Sequence, residues 1–263
     1  MKFLFLGDIV GKAGRKAVRE VLPNLRQELA VDFVIANGEN LAHGSGATRK
    51  TIEEVQEAGV DFFTSGNHIW QTKEAEEILQ DKTLPIIRPA NYPEGTPGDG
   101  YRIIEVGASK RILIANVLGQ VFFNENCDSP FRTLDKILEE TASEKLDAII
   151  VDAHMEITSE IQAFGFYLDG RVSAVIGTHT HVPTADARVL PKGTAFVTDA
   201  GMVGVRDTSL GVDTDVIIKQ MLTQRPQKFA RPEEGLCRVD GVVFEIEKRK
   251  ASKIERVYRE VEV

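Results

Sequence analysis

Residues able to bind metals recur at one kind of place in this chain, directly after short apolar runs. Gly7-Asp8 follows Lys2 to Leu6, Gly38-Glu39-Asn40 follows Phe33 to Ala36, and Gly66-Asn67-His68 follows Phe62 to Ser65. Asp152-Ala153-His154 and Gly177-Thr178-His179-Thr180-His181 close two later runs in the same way. Of the five histidines, four (His68, His154, His179 and His181) stand at such ends. Neutral imidazole together with carboxylate suits Zn, Mn or Fe, whereas calcium prefers an all-oxygen shell. The set also exceeds what one catalytic metal uses, roughly three protein ligands with a position left open. Two metals sharing a bridging carboxylate use it better. Two divalent ions against two carboxylates leave a local charge of about +2, which would hold a phosphate and lower the pKa of a bridging water.

The elements that must position these groups follow from the apolar spacing. Ala17, Val18, Val21, Leu22, Leu25 and Leu29 make a helical stripe, with Pro23 placed to kink or divide it. Thr48 to Ala58 is a second helix closed by Gly59, and Thr72 to Leu79 a third. Strand followed by helix three times over predicts a parallel sheet covered by helices, with its ligand crevice at the carboxyl ends of the strands. Leu84 to Arg88, Tyr101 to Val106 and Arg111 to Asn116 read as further strands, and Asn91 to Gly100 as a loop. Helices are predicted from Ser129-Pro130 and over Glu160 to Leu168, strands over Ala148 to Val151, Ala174 to Ile176 and Ala195 to Val197. Val242 to Ile246 and Ile254 to Tyr258 read as an antiparallel hairpin. Strand-like alternation would let His179 and His181 project to the same side.

Composition bounds the partners. The chain of 263 residues carries 32 Lys and Arg against 40 Asp and Glu, a formal charge of -8. Proteins that grip long nucleic acid or anionic membranes by charge usually have the opposite sign. No apolar run approaches the roughly 20 residues of a membrane span. The apolar start is shorter than a signal-peptide core of roughly 7 to 15 residues and meets Asp8 at once. Cys127 and Cys237 stand in no metal-spacing motif and are expected to be free thiols in a cytoplasm. No linker or repeat divides the chain, so residues 1–263 are expected to form a single domain.

Other motifs read more plainly. GDIVGKAG lacks both the dinucleotide and the Walker spacing, so its glycines are read as turn formers. Phe122 and Phe123 could border a substrate, although adjacent aromatics usually divide into one core and one rim residue. Arg206 and Asp207 are placed outside the site, and His43, in HGSG, is left open between a structural and a functional role.

The ordered set GD, GEN, GNH, a single histidine and GTHTH resembles the calcineurin-like metallophosphoesterase superfamily, and within it the bacterial YmdB-type phosphodiesterases. The segments DAHMEITSE and DAGMVGVRDTSLG extend the likeness beyond residue 200. Superfamily members generally follow the first Asp with x-His and bridge their metals with Asp; here Ile9-Val10 follow Asp8, and Glu39 takes the bridging place. The resemblance implies an α/β fold of layered sheets, a sandwich flanked by helices. It implies two metal ions, iron first and manganese as substitute. Asp8, Glu39, Asn40 and His181 would hold one, and Glu39, Asn67, His154 and His179 the other, with Asn40 standing in for the missing histidine. It further implies in-line attack on a small phosphodiester, with 2′,3′-cyclic nucleotides as the substrate class, by a metal-bridging hydroxide. His68 would then donate the proton to the leaving oxygen, a task suited to imidazole. A phosphomonoesterase, or a metal-bound regulatory or RNA-processing protein with weak hydrolase activity, stays open as an alternative. So do a homo-oligomer and an RNA or protein partner.

Overall fold

The computed structural model describes residues 1–107 and 109–263. The chain begins with strands β1 (Lys2–Leu6) and β2 (Asp8–Ile9), helix α1 (Gly11–Glu28), β3 (Phe33–Asn37), α2 (Arg49–Glu57) and β4 (Phe62–Thr64). A 3-10 turn over Asn67–Gln71 leads into α3 (Ala75–Gln80). The middle holds β5 (Tyr101–Val106), β6 (Lys110–Leu118), α4 (Pro130–Glu140), β7 (Ala148–His154), α5 (Thr158–Leu168) and β8 (Ala174–Thr178). Short strands β9 (Arg188–Val189), β10 (Ala195–Val197) and β11 (Met202–Val205) precede α6 (Thr214–Thr223) and a long hairpin, β12 (Leu236–Glu247) and β13 (Lys250–Glu262).

These strands form two sheets. The first runs β2-β11-β12-β1-β3-β4, with β13 also paired to β12; the second runs β5-β6-β7-β8-β10-β9. β1, β3 and β4 are parallel, as are β6, β7, β8 and β10, so within each sheet these carboxyl ends emerge together. The two-residue period of a strand sorts side chains between layers. Phe3 and Phe5 of β1 enter the core between the sheets with Ile112 and Ile114 of β6. Leu4 and Leu6 face outward onto the α1 stripe of Ala13, Ala17, Val18, Leu22 and Leu25. Leu113 and Ala115 face α4 and α5 through Leu134, Ile137, Ile161 and Phe164. Strands covered on both faces read as continuous apolar runs. Each fully buried Phe contributes roughly 1.5–3 kcal/mol of apolar transfer, and the Phe3 and Phe244 rings stack with centroids 5.4 Å apart.

The sandwich implied by the resemblance is therefore present. The residue pattern alone had predicted one helix-covered sheet, because apolar runs do not say whether a strand's second face meets a helix or another sheet. Three local expectations also change. The helix α1 continues through Pro23, which is exposed, so the carbonyl that loses its partner can be met by water. Leu84 to Arg88 is not a strand: a single bridge joins Ile86 to Phe63. Pro85 and Pro89 remove backbone donors on either side, and the Arg88 guanidinium instead donates to the carbonyls of Pro89, Thr96 and Pro97. The third helix starts only at Ala75, and β11 and α6 had no counterpart in the predicted pattern.

Candidate metal centre

Close backbone approaches bring the strand ends together. A Cβ on Gly7 would lie 2.0 Å from the Gly201 carbonyl oxygen; without one, the chain passes beside Gly201 and delivers Asp8 to the crevice. The Asn37 side-chain oxygen accepts from the Glu39 N–H at 3.0 Å, which turns the chain after β3. A Cβ on Gly66 would sit 2.3 Å from both Glu39 Oε2 and His154 Nε2, so this glycine forms one wall of the centre. His179 and His181 are not strand residues. They follow β8 in a turn with φ of +103° and +63°, a costly conformation for residues other than glycine. Asp199 holds that turn by accepting from the Thr180 N–H and hydroxyl at 2.9 and 2.8 Å.

Two groups of donors meet at Glu39. On one side His154 Nε2 lies 3.4 Å from Glu39 Oε2 and 3.0 Å from His179 Nδ1. One ligand atom from each of these three residues falls within a 4.8 Å cluster. On the other side His181 Nε2 lies 3.7 Å from Asp8 Oδ1 and 3.3 Å from Asn40 Nδ2, while Asn40 Nδ2 also donates to Glu39 Oε1 at 3.1 Å. Asp8 Oδ2 accepts from the His179 N–H at 3.2 Å, joining the two sides. Asn67 is placed by its neighbours, Gly66 against Glu39 and His154, and His68, whose N–H donates to Glu39 Oε2 at 2.9 Å. The His68 ring stands over the same centre, with Nδ1 3.0 Å from both Asn40 Oδ1 and Glu39 Oε1. His43 lies outside it, exposed in a loop with φ of +53°. Phe123 packs on the His179 ring at 4.8 Å, while Phe122 is 81% exposed.

The electrostatics are those of anions awaiting positive charge. Burial pushes the Asp8 carboxyl up, but His181 outweighs it and holds the group below its usual range. Burial likewise opposes ionisation of Glu39, yet the charge of His154 and the hydrogen bonds from His154 and His68 keep it well below the ordinary value. His154 shows the reciprocal effect: burial lowers its pKa, and the facing Glu39 carboxylate more than reverses this, to about 9. His179 falls to about 3 through burial and the positive charge of His154, because two nitrogens 3.0 Å apart cannot both hold protons against each other. Asp8 Oδ1 and Asn67 Oδ1 are buried without a hydrogen-bond partner, although buried polar atoms are ordinarily paired. Unpartnered oxygens, paired carboxylates and imidazole nitrogens turned to one point form a donor set that fits transition-metal cations.

Three of the four imidazoles at the centre, those of His154, His179 and His181, are each anchored at the nitrogen away from it. His154 Nδ1 meets Thr178 Oγ1 at 2.8 Å, His179 Nε2 meets Glu156 Oε2 at 2.9 Å, and His181 Nδ1 meets the Leu210 carbonyl at 3.1 Å. Such contacts fix ring orientation and leave the inner nitrogen free for a metal. Thr178 passes the chain on to Asp152 at 2.7 Å, which also accepts from Asn37 and Thr64 and whose carboxyl burial pushes up to about 7. Sequence reasoning assigned no role to Thr178, Glu156 or Asp152; the two carboxylates beside the His154 motif were the available signal. The centre opens into a cavity of about 410 Å³, walled by Val10, His68 and His181 and by Leu210, Met221 and Phe229. Arg206 pairs with Asp207 and Glu260 away from it, and both cysteines are free. Among the described residues, no helix is long and apolar enough to cross a membrane.

Two sheets with helices on their outer faces, and a histidine–carboxylate–amide centre at the strand ends, define a metallophosphoesterase-like protein. A family profile described as YmdB-like protein matches residues 4–257, and the chain belongs to that family. It is 45% identical over 260 residues to a protein of Bacillus subtilis (strain 168) named 2′,3′-cyclic-nucleotide 2′-phosphodiesterase, covering 98% of this chain and 96% of that one. Its fold matches a crystal structure of a protein from Thermus thermophilus with a TM-score of 0.92 at 43% identity, covering 99% of each chain. A novel phosphatase from Mycoplasma pneumoniae matches equally, TM-score 0.92 at 35% identity, over 100% of this chain and 94% of that one.

Proposed function

We propose that the chain is a metal-dependent phosphoric ester hydrolase that opens 2′,3′-cyclic nucleotides. The observation that carries the reading is the pair of donor groups meeting at Glu39, with Asp8 Oδ1 and Asn67 Oδ1 left without a hydrogen-bond partner. The likeness to the Bacillus phosphodiesterase supports the substrate class. In this reading Asp8, Glu39, Asn40 and His181 hold one cation, and Glu39, Asn67, His154 and His179 the other. Iron is the proposed metal and manganese the substitute, both compatible with imidazole and carboxylate ligands. Bound there, the cations supply Lewis acidity toward the phosphoryl oxygens and lower the pKa of a water.

The chain's own residues do the rest. Thr178, Glu156 and the Leu210 carbonyl hold the imidazoles in place, so the donors need little rearrangement on loading. His68 Nδ1 is engaged by Glu39 and Asn40, which leaves Nε2 as the nitrogen that hands a proton to the leaving oxygen. Water adds across the P–O2′ bond, that bond breaks, and the product is a 3′-phosphate with a free 2′-hydroxyl. Metal analysis of the purified protein tests this, with assays on 2′,3′-cyclic nucleotides, linear diesters and monoesters. Two metals per chain and fastest turnover of the cyclic nucleotides are expected. Faster turnover of monoesters, or no turnover with metals bound, would overturn the reading.

A further inference from the structure

A second cavity, of about 390 Å³, adjoins the catalytic one and has a different character. Four cationic side chains, Lys12, Arg15, Lys50 and Arg231, face two carboxylates, Glu54 and Glu233. Glu54 is held by Arg15 at 2.7 Å and Glu233 by Lys12 at 2.7 Å, so both acids are already engaged. The excess positive charge sits in a protein whose overall charge is -8. Arg231 and Phe229 line both cavities, so the two adjoin along these side chains. Val10 and Gly44 of the catalytic cavity are chain neighbours of Gly11 and His43 of the second, and the Gly11 N–H donates to the Asn40 carbonyl at 2.9 Å.

Arg231 is seated for this position. A Cβ on Gly44 would lie 2.2 Å from its Cδ and Nε, so the glycine makes the bed on which the side chain lies. Its Nη1 donates to the His43 carbonyl at 3.3 Å, a neutral acceptor, and burial alone pushes its pKa down. A partly buried guanidinium without a carboxylate to offset it is costly and suited to an anion, above all a phosphate.

We propose that this second cavity binds a second phosphate of the substrate, through Arg231 and Lys50. The preferred substrate is then a 2′,3′-cyclic nucleotide that also carries a 5′-phosphate, as a free nucleotide or as the last residue of an oligonucleotide. The inference rests on the proposed cyclic-nucleotide activity. It gives HGSG a role: the loop supplies the bed and the carbonyl that position Arg231.

The test compares adenosine 2′,3′-cyclic phosphate with its 5′-phosphorylated counterpart and with a dinucleotide ending in the cyclic phosphate, using the metal-loaded protein and its Lys50→Ala variant. A charge-assisted hydrogen bond corresponds to roughly tenfold or more in affinity. The native protein should favour the 5′-phosphorylated substrate at least tenfold in kcat/KM, mainly through KM, and the preference should shrink severalfold in Lys50→Ala. Calorimetry with adenosine 3′,5′-bisphosphate against adenosine 3′-phosphate gives a readout independent of turnover, with tighter binding of the bisphosphate expected. Equal kcat/KM for both substrates, equal binding of both products, or a preference as large in Lys50→Ala as in the native protein overturns the proposal. A dinucleotide favoured over the 5′-phosphorylated mononucleotide identifies the oligonucleotide as the source of that phosphate. Failure of the cyclic-nucleotide reading looks different: no cyclic nucleotide is turned over while another phosphoester is.

Discussion

At the level of single residues, the centre separates groups that hold charge from groups that orient. His68 contacts Glu39 and Asn40 through one nitrogen and borders the cavity, so His68→Ala should keep both metals by elemental analysis. It should slow turnover by roughly 10²–10⁴, most for substrates with poor leaving groups. Loss of the metals in that variant would make His68 a ligand. Glu156→Gln removes the carboxylate that anchors His179, and titration of metal into the stripped protein should show roughly 10- to 100-fold weaker binding. The metal-free protein has its own pH dependence. His154 is raised from an ordinary 6.5 to about 9 by Glu39, so its pairing stabilises the fold fully below pH 6.5, and that contribution is lost as pH rises through about 9. Thermal melts of the stripped protein should show a falling Tm over that interval, and a flat profile would contradict the assignment. The ligand candidates were legible in the sequence because their types are rare and stand at run ends. Thr178 and the Leu210 carbonyl were not, since a hydroxyl or a backbone oxygen carries no signal of what it will meet.

Secondary-structure elements set how closely those residues can approach. Gly66 stands where any side chain would collide with Glu39 and His154, so Gly66→Ala should cost about 1–3 kcal/mol in denaturant unfolding of the metal-free protein. It should also abolish metal uptake, and full metal content in the variant would show that the strand end can give way. The parallel strands and main helices were readable from period and punctuation. What escaped is instructive: α6 has no buried residue, although Val216, Ile217, Ile218, Met221 and Leu222 give it apolar content, and sequence alone assigned it to no layer. Alternate histidines suggest a strand, but His179 and His181 lie in a turn past β8. Its left-handed φ values come from tertiary contacts, chiefly the grip of Asp199 on Thr180.

On the scale of the whole molecule, the two sheets share the layer that holds Phe3, Phe5, Ile112, Ile150 and Phe244. Unfolding should therefore be one cooperative transition, with calorimetric and van't Hoff enthalpies in agreement. Two separable transitions would point to two domains. Metal added at a hundredfold excess over its dissociation constant should raise stability by about 2.7 kcal/mol per site, visible as a higher Tm that chelation reverses.

The pairing of β1 has one more implication. That first strand lies between β3 and the next-to-last strand β12, and the Gly7 N–H that precedes Asp8 donates to the Asp240 carbonyl at 3.1 Å. Asp8 is therefore seated by a strand that is synthesised long after it. Chains cut short before β12 should carry every histidine of the centre and still capture no metal, because Asp8 would lack the strand that seats it.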